Sequence, residues 1–385
     1  MRRALCIAVI AALILSACAP TSPPPAVASL VTQPFGITAN GMPVTRYTMT
    51  SGHGVSVSFI NYGGIVTDIT TPDRTGRPAH VLLGLPTLRD YETTSARDEL
   101  FFGALIGRYA NYIAGGRFDL GGHTYEIPIN NPPNTLHGGP EGFDKRIWTV
   151  QPLVTSGDEV GASLRYTSAD GEEGFPGTLA VTVTYTLTLD GTFTIHYGAV
   201  TDRDTVVSMS SHLNFNLAGA GSGDVLSQVL TVDADQFLPL DQTQIPLGSL
   251  APVAGTPFDF RSPMPIGERI GNRNPQLAII GGYDQYWVLD KQGDPTRPQH
   301  AVHAVDPASG RSIDVTTTEP GLQIYSGSVL NGVNGIGGSY DRFGAFTLET
   351  HHFPDSPNHP SFPTTELRPG QRFDSTTAFR FGIQS

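Results

Sequence analysis

The chain has 385 residues and a formal net charge of −12, with only 15% of its residues charged. An acidic chain without a Lys/Arg run argues against nucleic acid as a partner and against a phosphorylated anion as the main substrate. Its 44 glycines and 31 prolines exceed ordinary usage and predict short strands joined by many turns.

Arg2 and Arg3 precede an apolar run over residues 4–15, which ends in Leu15-Ser16-Ala17-Cys18. This pattern reads as a secretory signal over residues 1–18, too short to span a bilayer as a helix. The Leu-Ser-Ala-Cys ending resembles a bacterial lipobox, which makes Cys18 the expected lipidation site; a plain signal peptide cut nearby is the alternative. An acyl anchor tethers a protein without spanning the membrane. The expected location is therefore the periplasmic side, and Ala19 after the cysteine favours the outer membrane over the inner. Residues 19–29 (APTSPPPAVAS) read as a flexible tether, and residues 30–385 as one folded domain. Both cysteines, Cys6 and Cys18, lie in the leader, so the domain has no disulfide and no thiolate metal ligand.

Within the domain, period-two alternation is clearest over residues 181–199. Val181, Val183, Tyr185, Leu187 and Leu189 alternate with Thr182, Thr184, Thr186 and Thr188. Asp190-Gly191 interrupts, and Phe193, Ile195, Tyr197 and Ala199 resume, which predicts a β-hairpin. Shorter pieces recur at 55–59, 65–69, 162–166, 229–232, 301–305 and 373–381. No stretch of 12 or more residues carries a 3.6-residue apolar period, and no short repeat suggests a propeller or solenoid. The expected fold class is all-β, a single large β-sandwich.

Several polar, Gly/Pro-rich segments break the strand pattern, as loops that carry a site do. In order they are Asn61-Tyr62-Gly63-Gly64, 107–114 (GRYANYIA), 130–139 (NNPPNTLHGG), 211–219 (SHLNFNLAG), Gly282-Tyr283-Asp284, 320–325 (PGLQIY) and 348–358 (LETHHFPDSPN). Together they supply histidines, carboxylates and amides suited to acid/base work at neutral pH. There is no nucleophile elbow, P-loop, dinucleotide fingerprint or H-E-x-x-H motif. Asn, Gln, Asp, His and Tyr beside aromatic residues suit a sugar.

This ordered series resembles the aldose 1-epimerase (galactose mutarotase) family from about Phe35 to the C-terminus. The resemblance implies a galactose-mutarotase-type β-supersandwich and interconversion of the α and β anomers of free aldohexoses, with no metal and no cofactor. It also implies roles for individual residues. Glu349 in Leu-Glu-Thr matches the catalytic base, and His212 before Asn214-Phe215-Asn216 the catalytic acid. His137, Asp284, Asn111 and Gln323 match substrate contacts. Tyr112 stands where the family usually has a substrate-contacting arginine, so a galactose preference does not carry over. Gln285 and His351 also depart from the usual pattern, without removing a proton-transfer group.

Charge complementarity leads to the expectation that nearby carboxylates hold His212 protonated while Glu349 is ionised. Glu349, His351, His352, Asp355 and His359 invite a metal reading, since alternation points Glu349 and His351 the same way. Pro354, Pro357 and Pro360 break that geometry. The rival functions are an epimerase of a modified sugar such as a hexose 6-phosphate, a non-catalytic carbohydrate-binding protein, and a glycosidase using Glu349 and Asp284. The first would need an Arg/Lys cluster, the second has no use for an acid/base pair, and the third needs two carboxylates flanking the bond.

Overall fold

The computed structural model describes residues 28–95, 100–153 and 157–384. Among these, strands dominate and no helix exceeds five residues. The leader, Cys18 and residues 19–27 of the tether lie outside the described residues. The first strand, Ser29–Ile37, takes in the last tether residue, and Ala28 and Leu30 already pack on the core.

The expected hairpin forms the middle of a nine-stranded sheet. Leu179–Thr188 and Thr192–Thr201 pair antiparallel, with Leu187 opposite Phe193. The turn is tight because Gly191 takes φ 84°, open to glycine without steric cost, and donates its N–H to the Thr188 carbonyl. Val181, Val183, Tyr185 and Leu187 are buried, while the alternating threonines stay partly exposed. On the far side of the hairpin the sheet continues through Phe373–Ile383, Arg311–Thr317, Gln299–Val305 and Val229–Val232.

A five-stranded N-terminal sheet covers part of this layer. Phe59, from Ser56–Ile60, meets Tyr185 edge-on at 5.1 Å, and the Tyr185 hydroxyl donates to the Gly64 carbonyl. A second five-stranded sheet runs Ala251–Pro252, Gln236–Leu238, Asp284–Val288, Gly321–Tyr325, Glu349–His351. One buried apolar cluster draws Phe59, Tyr185, Trp287 and Leu322 from all three sheets. Packing one apolar face of each sheet on the others is what a β-sandwich requires.

A two-strand ladder bridges core and site. Asn214–Phe215 pairs with Phe346–Thr347, placing Asn214 opposite Thr347 and Phe215 opposite Phe346. The Phe215 ring is fully buried against Phe346, Phe379 and Phe381. The apolar residues thus anchor this ladder to the nine-stranded sheet, and its polar residues belong to the site.

Candidate functional site

The strand Glu349–His351 is the edge of the second five-stranded sheet, with Glu349 opposite Gln323 and Asp284 opposite Tyr325 one strand further on. Residues paired across adjacent strands share a face. Glu349, Gln323, Asp284 and Tyr325 accordingly line one cavity of about 290 Å³. The lining is completed by Asn111, Asn131, His137 and His212 from connecting segments and by Tyr112 from the short strand Tyr112–Ile113. Every cavity residue named from the sequence is therefore brought together. The volume lies near the lower end for ligand pockets.

His137 and Asn111 face each other across the ladder formed by Tyr112–Ile113 and Thr135–Leu136. Both take left-handed backbone conformations, φ 53° and 67°. Gly138 follows at φ 89°, and a Cβ there would lie 2.2 Å from the Gly107 carbonyl oxygen. The tight turn and the cavity contact therefore belong to one histidine. The Asn111 backbone N–H donates to His137 Nδ1 at 3.2 Å. Nδ1 is thus an acceptor, and the neutral ring carries its proton on Nε2. Burial holds His137 well below the usual histidine range, with His212 adding to the effect.

His212 has the other tautomer. Its Nδ1 donates to Asn214 Oδ1 at 3.0 Å, which leaves Nε2 to face Glu349 Oε1 at 3.4 Å. Phe101, itself at φ 47°, sits edge-on to His137 with ring centroids 4.7 Å apart and 5.9 Å from His212, excluding water from both. Burial pushes the Glu349 carboxyl up to about 8, opposed by a hydrogen bond from Thr347. Burial lowers His212, opposed by Asn214 and Asp284.

These directions correct the sequence expectation that neighbouring carboxylates keep His212 protonated. Desolvation outweighs them and favours the neutral pair, with the proton on Glu349. The pair still holds one proton, the same number as the ionised arrangement requires.

Asp284 accepts a 2.7 Å hydrogen bond from Gln323 Nε2, and burial, with the Glu349 charge adding, pushes it up to about 7. Tyr112 is buried at the cavity wall, where its hydroxyl accepts from Gln244 Nε2 at 2.8 Å and points towards Asn131 Oδ1 at 3.5 Å. Gln244 escaped the sequence reading. Its aim comes from a turn in which Asp241 Oδ1 caps the Thr243 and Ile245 N–H groups, and Asp-Gln-Thr-Gln carries no chemical signature. Leu100, Phe101 and Phe102 also line the cavity and were missed, since a short apolar run looks like core. Among the described residues, no Lys or Arg is in the cavity lining. Lys145 stops behind Phe101, bound to Asp144 at 2.6 Å.

The His/carboxylate cluster after Glu349 separates. His351 packs against Tyr286, whose hydroxyl donates to the His351 carbonyl. Tyr286 fits there because the residue opposite His351 is Gly321: a Cβ on Gly321 would strike the ring at 2.2 Å. His352 pairs with buried Glu319 at 2.7 Å, and His359 with Asp355 at 3.3 Å. A different trio, His137, His212 and Glu349, places one donor atom each within 4.8 Å of one another. A histidine ligand normally donates its second ring N–H to a nearby acceptor. His212 satisfies that through Asn214, whereas His137 Nδ1 meets the Asn111 N–H, so the trio suits proton transfer better than a cation.

Comparison with known proteins finds relatives along most of the chain. The family described as Aldose 1-epimerase matches residues 45–380. The galactose mutarotase of Rattus norvegicus is 40% identical over 352 residues, 91% of this chain and 97% of that protein. The aldose 1-epimerase of Escherichia coli (strain K12) is 37% identical over 345 residues, 89% of this chain and 96% of that protein. Among solved structures, galactose 1-epimerase from Lactobacillus acidophilus NCFM shares the fold with a TM-score of 0.80 at 24% identity, covering 93% of this chain and 99% of that one.

Proposed function

This chain belongs to the aldose 1-epimerase family and interconverts the α and β anomers of free aldoses; we propose that Glu349 is its catalytic base and His212 its catalytic acid. The observation that carries the assignment is the 3.4 Å contact between Glu349 Oε1 and His212 Nε2, with the far side of the imidazole already committed to Asn214. Glu349 takes the proton of the anomeric hydroxyl as His212 protonates the ring oxygen. The C1–ring-oxygen bond breaks and an aldehyde forms. Rotation about C1–C2 presents the other carbonyl face, and the two groups return their protons in reverse. His137, through its Nε2 proton, donates to oxygen at the reacting end. Asp284, Gln323 and Asn111 hold the remaining hydroxyls. A cavity whose described lining holds no Lys or Arg favours a neutral sugar over a hexose phosphate.

Polarimetry of freshly dissolved α-D-glucose and α-D-galactose tests the reading. The expected kcat/KM profile is bell-shaped, because it reports the free enzyme. Its acid limb lies below 6.5, where the pair takes a second proton and His212 is lowered by burial. Its alkaline limb lies near 8, where Glu349 gives up the shared proton. An enzyme that does not speed equilibration of any free aldose would remove the assignment.

Tyr112 gives the sugar-binding wall a phenol and a ring face instead of a guanidinium fork. Tyr112→Arg is expected to change the ratio of KM for galactose to KM for glucose by about 3- to 10-fold, while each kcat stays within about threefold. An unchanged ratio would show that Tyr112 is wall packing alone.

The basic and apolar leader ending at Cys18 supports export to the periplasmic side with a lipid anchor, on the outer membrane in view of Ala19. Mass spectrometry of the mature protein is expected to find diacylglycerol on Cys18. A mature chain starting beyond Cys18 would replace the anchor with plain signal cleavage.

A further inference from the structure

Asn214 and Thr347 are opposite each other in the ladder that ties the site to the core, and each contacts one member of the acid/base pair. Asn214 is 1% exposed and its Oδ1 accepts the hydrogen bond from His212 Nδ1–H. Thr347 is fully buried; its Oγ1 accepts the Tyr325 backbone N–H at 3.2 Å, so its own proton is directed to Glu349 Oε1, also at 3.2 Å. Glu349 Oε2 is buried without a hydrogen-bond partner among the described groups.

We propose that the cross-strand pair Asn214–Thr347 is a positioning device that selects the reactive arrangement of the single shared proton, Asn214 acting through His212 and Thr347 through Glu349. The inference rests on the acid/base reading above. Asn214 holds the tautomer in which Nε2 exchanges the proton, and its oxygen favours the imidazolium. Thr347 donates only to an oxygen lone pair, which favours the carboxylate. Together they oppose the desolvation that places the proton on Glu349. Because both sit on one two-residue ladder backed by Phe215 and Phe346, they set the spacing of acid and base as well as their charges. His137, Asp284, Asp144 and Tyr325 are the other titratable groups acting on the pair, and none of the substitutions below changes them.

The test is the pH dependence of kcat/KM by polarimetry on the full-length mature protein. Thr347→Val removes the hydroxyl at nearly constant shape. Its plateau is expected to fall about tenfold, and its alkaline limb to move up by as much as about one pH unit, since the carboxylate loses its donor. Thr347→Ser should restore both. Asn214→Leu should move the acid limb down, because the imidazolium loses its acceptor. Asn214→Asp should move that limb up, a carboxylate favouring the charge. KM should stay within about threefold for the Thr347 variants, as Thr347 does not line the cavity; Asn214 does line it, so its variants are read on the pH limbs. Limbs that stay at wild-type pH in folded variants overturn the proposal, whatever the loss in rate, as does a loss confined to KM. Failure of the wild type to accelerate mutarotation would instead strike the reading beneath it.

Discussion

Glu349→Gln lowers kcat by about 10²- to 10⁴-fold and leaves KM within about threefold. The amide keeps the size of the carboxyl and its contact with Thr347, and removes the group that accepts the anomeric proton. The same substitution raises thermal stability under alkaline conditions. The folded Glu349 pKa, about 8, lies above its unfolded value of 4.5. Stability from this group is present below 4.5 and is lost as pH rises through 8, because the unfolded chain ionises freely and the buried carboxyl does not. Gln carries no such penalty, so the Tm of the variant exceeds that of wild type by a few degrees at pH 9, and the two converge at pH 4. Calorimetry at both pH values checks the sign. An active variant removes the base assignment, and equal Tm values at pH 9 remove the desolvation argument.

His212→Gln is expected to cost a similar ~10²- to 10⁴-fold in kcat. The double variant Glu349→Gln/His212→Gln should be no more than about threefold slower than the slower single variant. One proton serves both groups, so loss of either partner disables the exchange, and groups that act as a unit are non-additive. Progress curves at equal protein concentration, with the uncatalysed rate subtracted, read this directly. Fully multiplicative losses would mean two independent groups and would separate the acid from the base.

Much of the fold is legible without coordinates. The Val/Thr alternation over 181–199 is a local consequence of side chains pointing to opposite faces of a strand, and of the nine apolar residues named by that rule all but the half-buried Leu189 are buried. The resemblance singled out Glu349, His212, His137, Asp284, Asn111, Gln323 and Tyr112, and all seven line one cavity. Gln244 was invisible because an Asx turn, not a motif, delivers it from over a hundred residues away in the chain. His351 looked like a companion of Glu349 by alternation, but a glycine on the neighbouring strand lets Tyr286 in beside it.

The same division applies to Glu349 and His212. Their identity and the reaction they suit were set by residue type and motif order, which are properties of the chain alone. Where the shared proton rests was decided by the tertiary structure, and decided against the simplest electrostatic expectation. Desolvation is a sum over everything that excludes water, including Phe101, the walls of the cavity and the sheet behind them. The tautomers depend on Asn111 and Asn214 reaching particular ring nitrogens. Both effects act over a few ångströms between residues far apart in sequence, so they come into being only when the chain has folded.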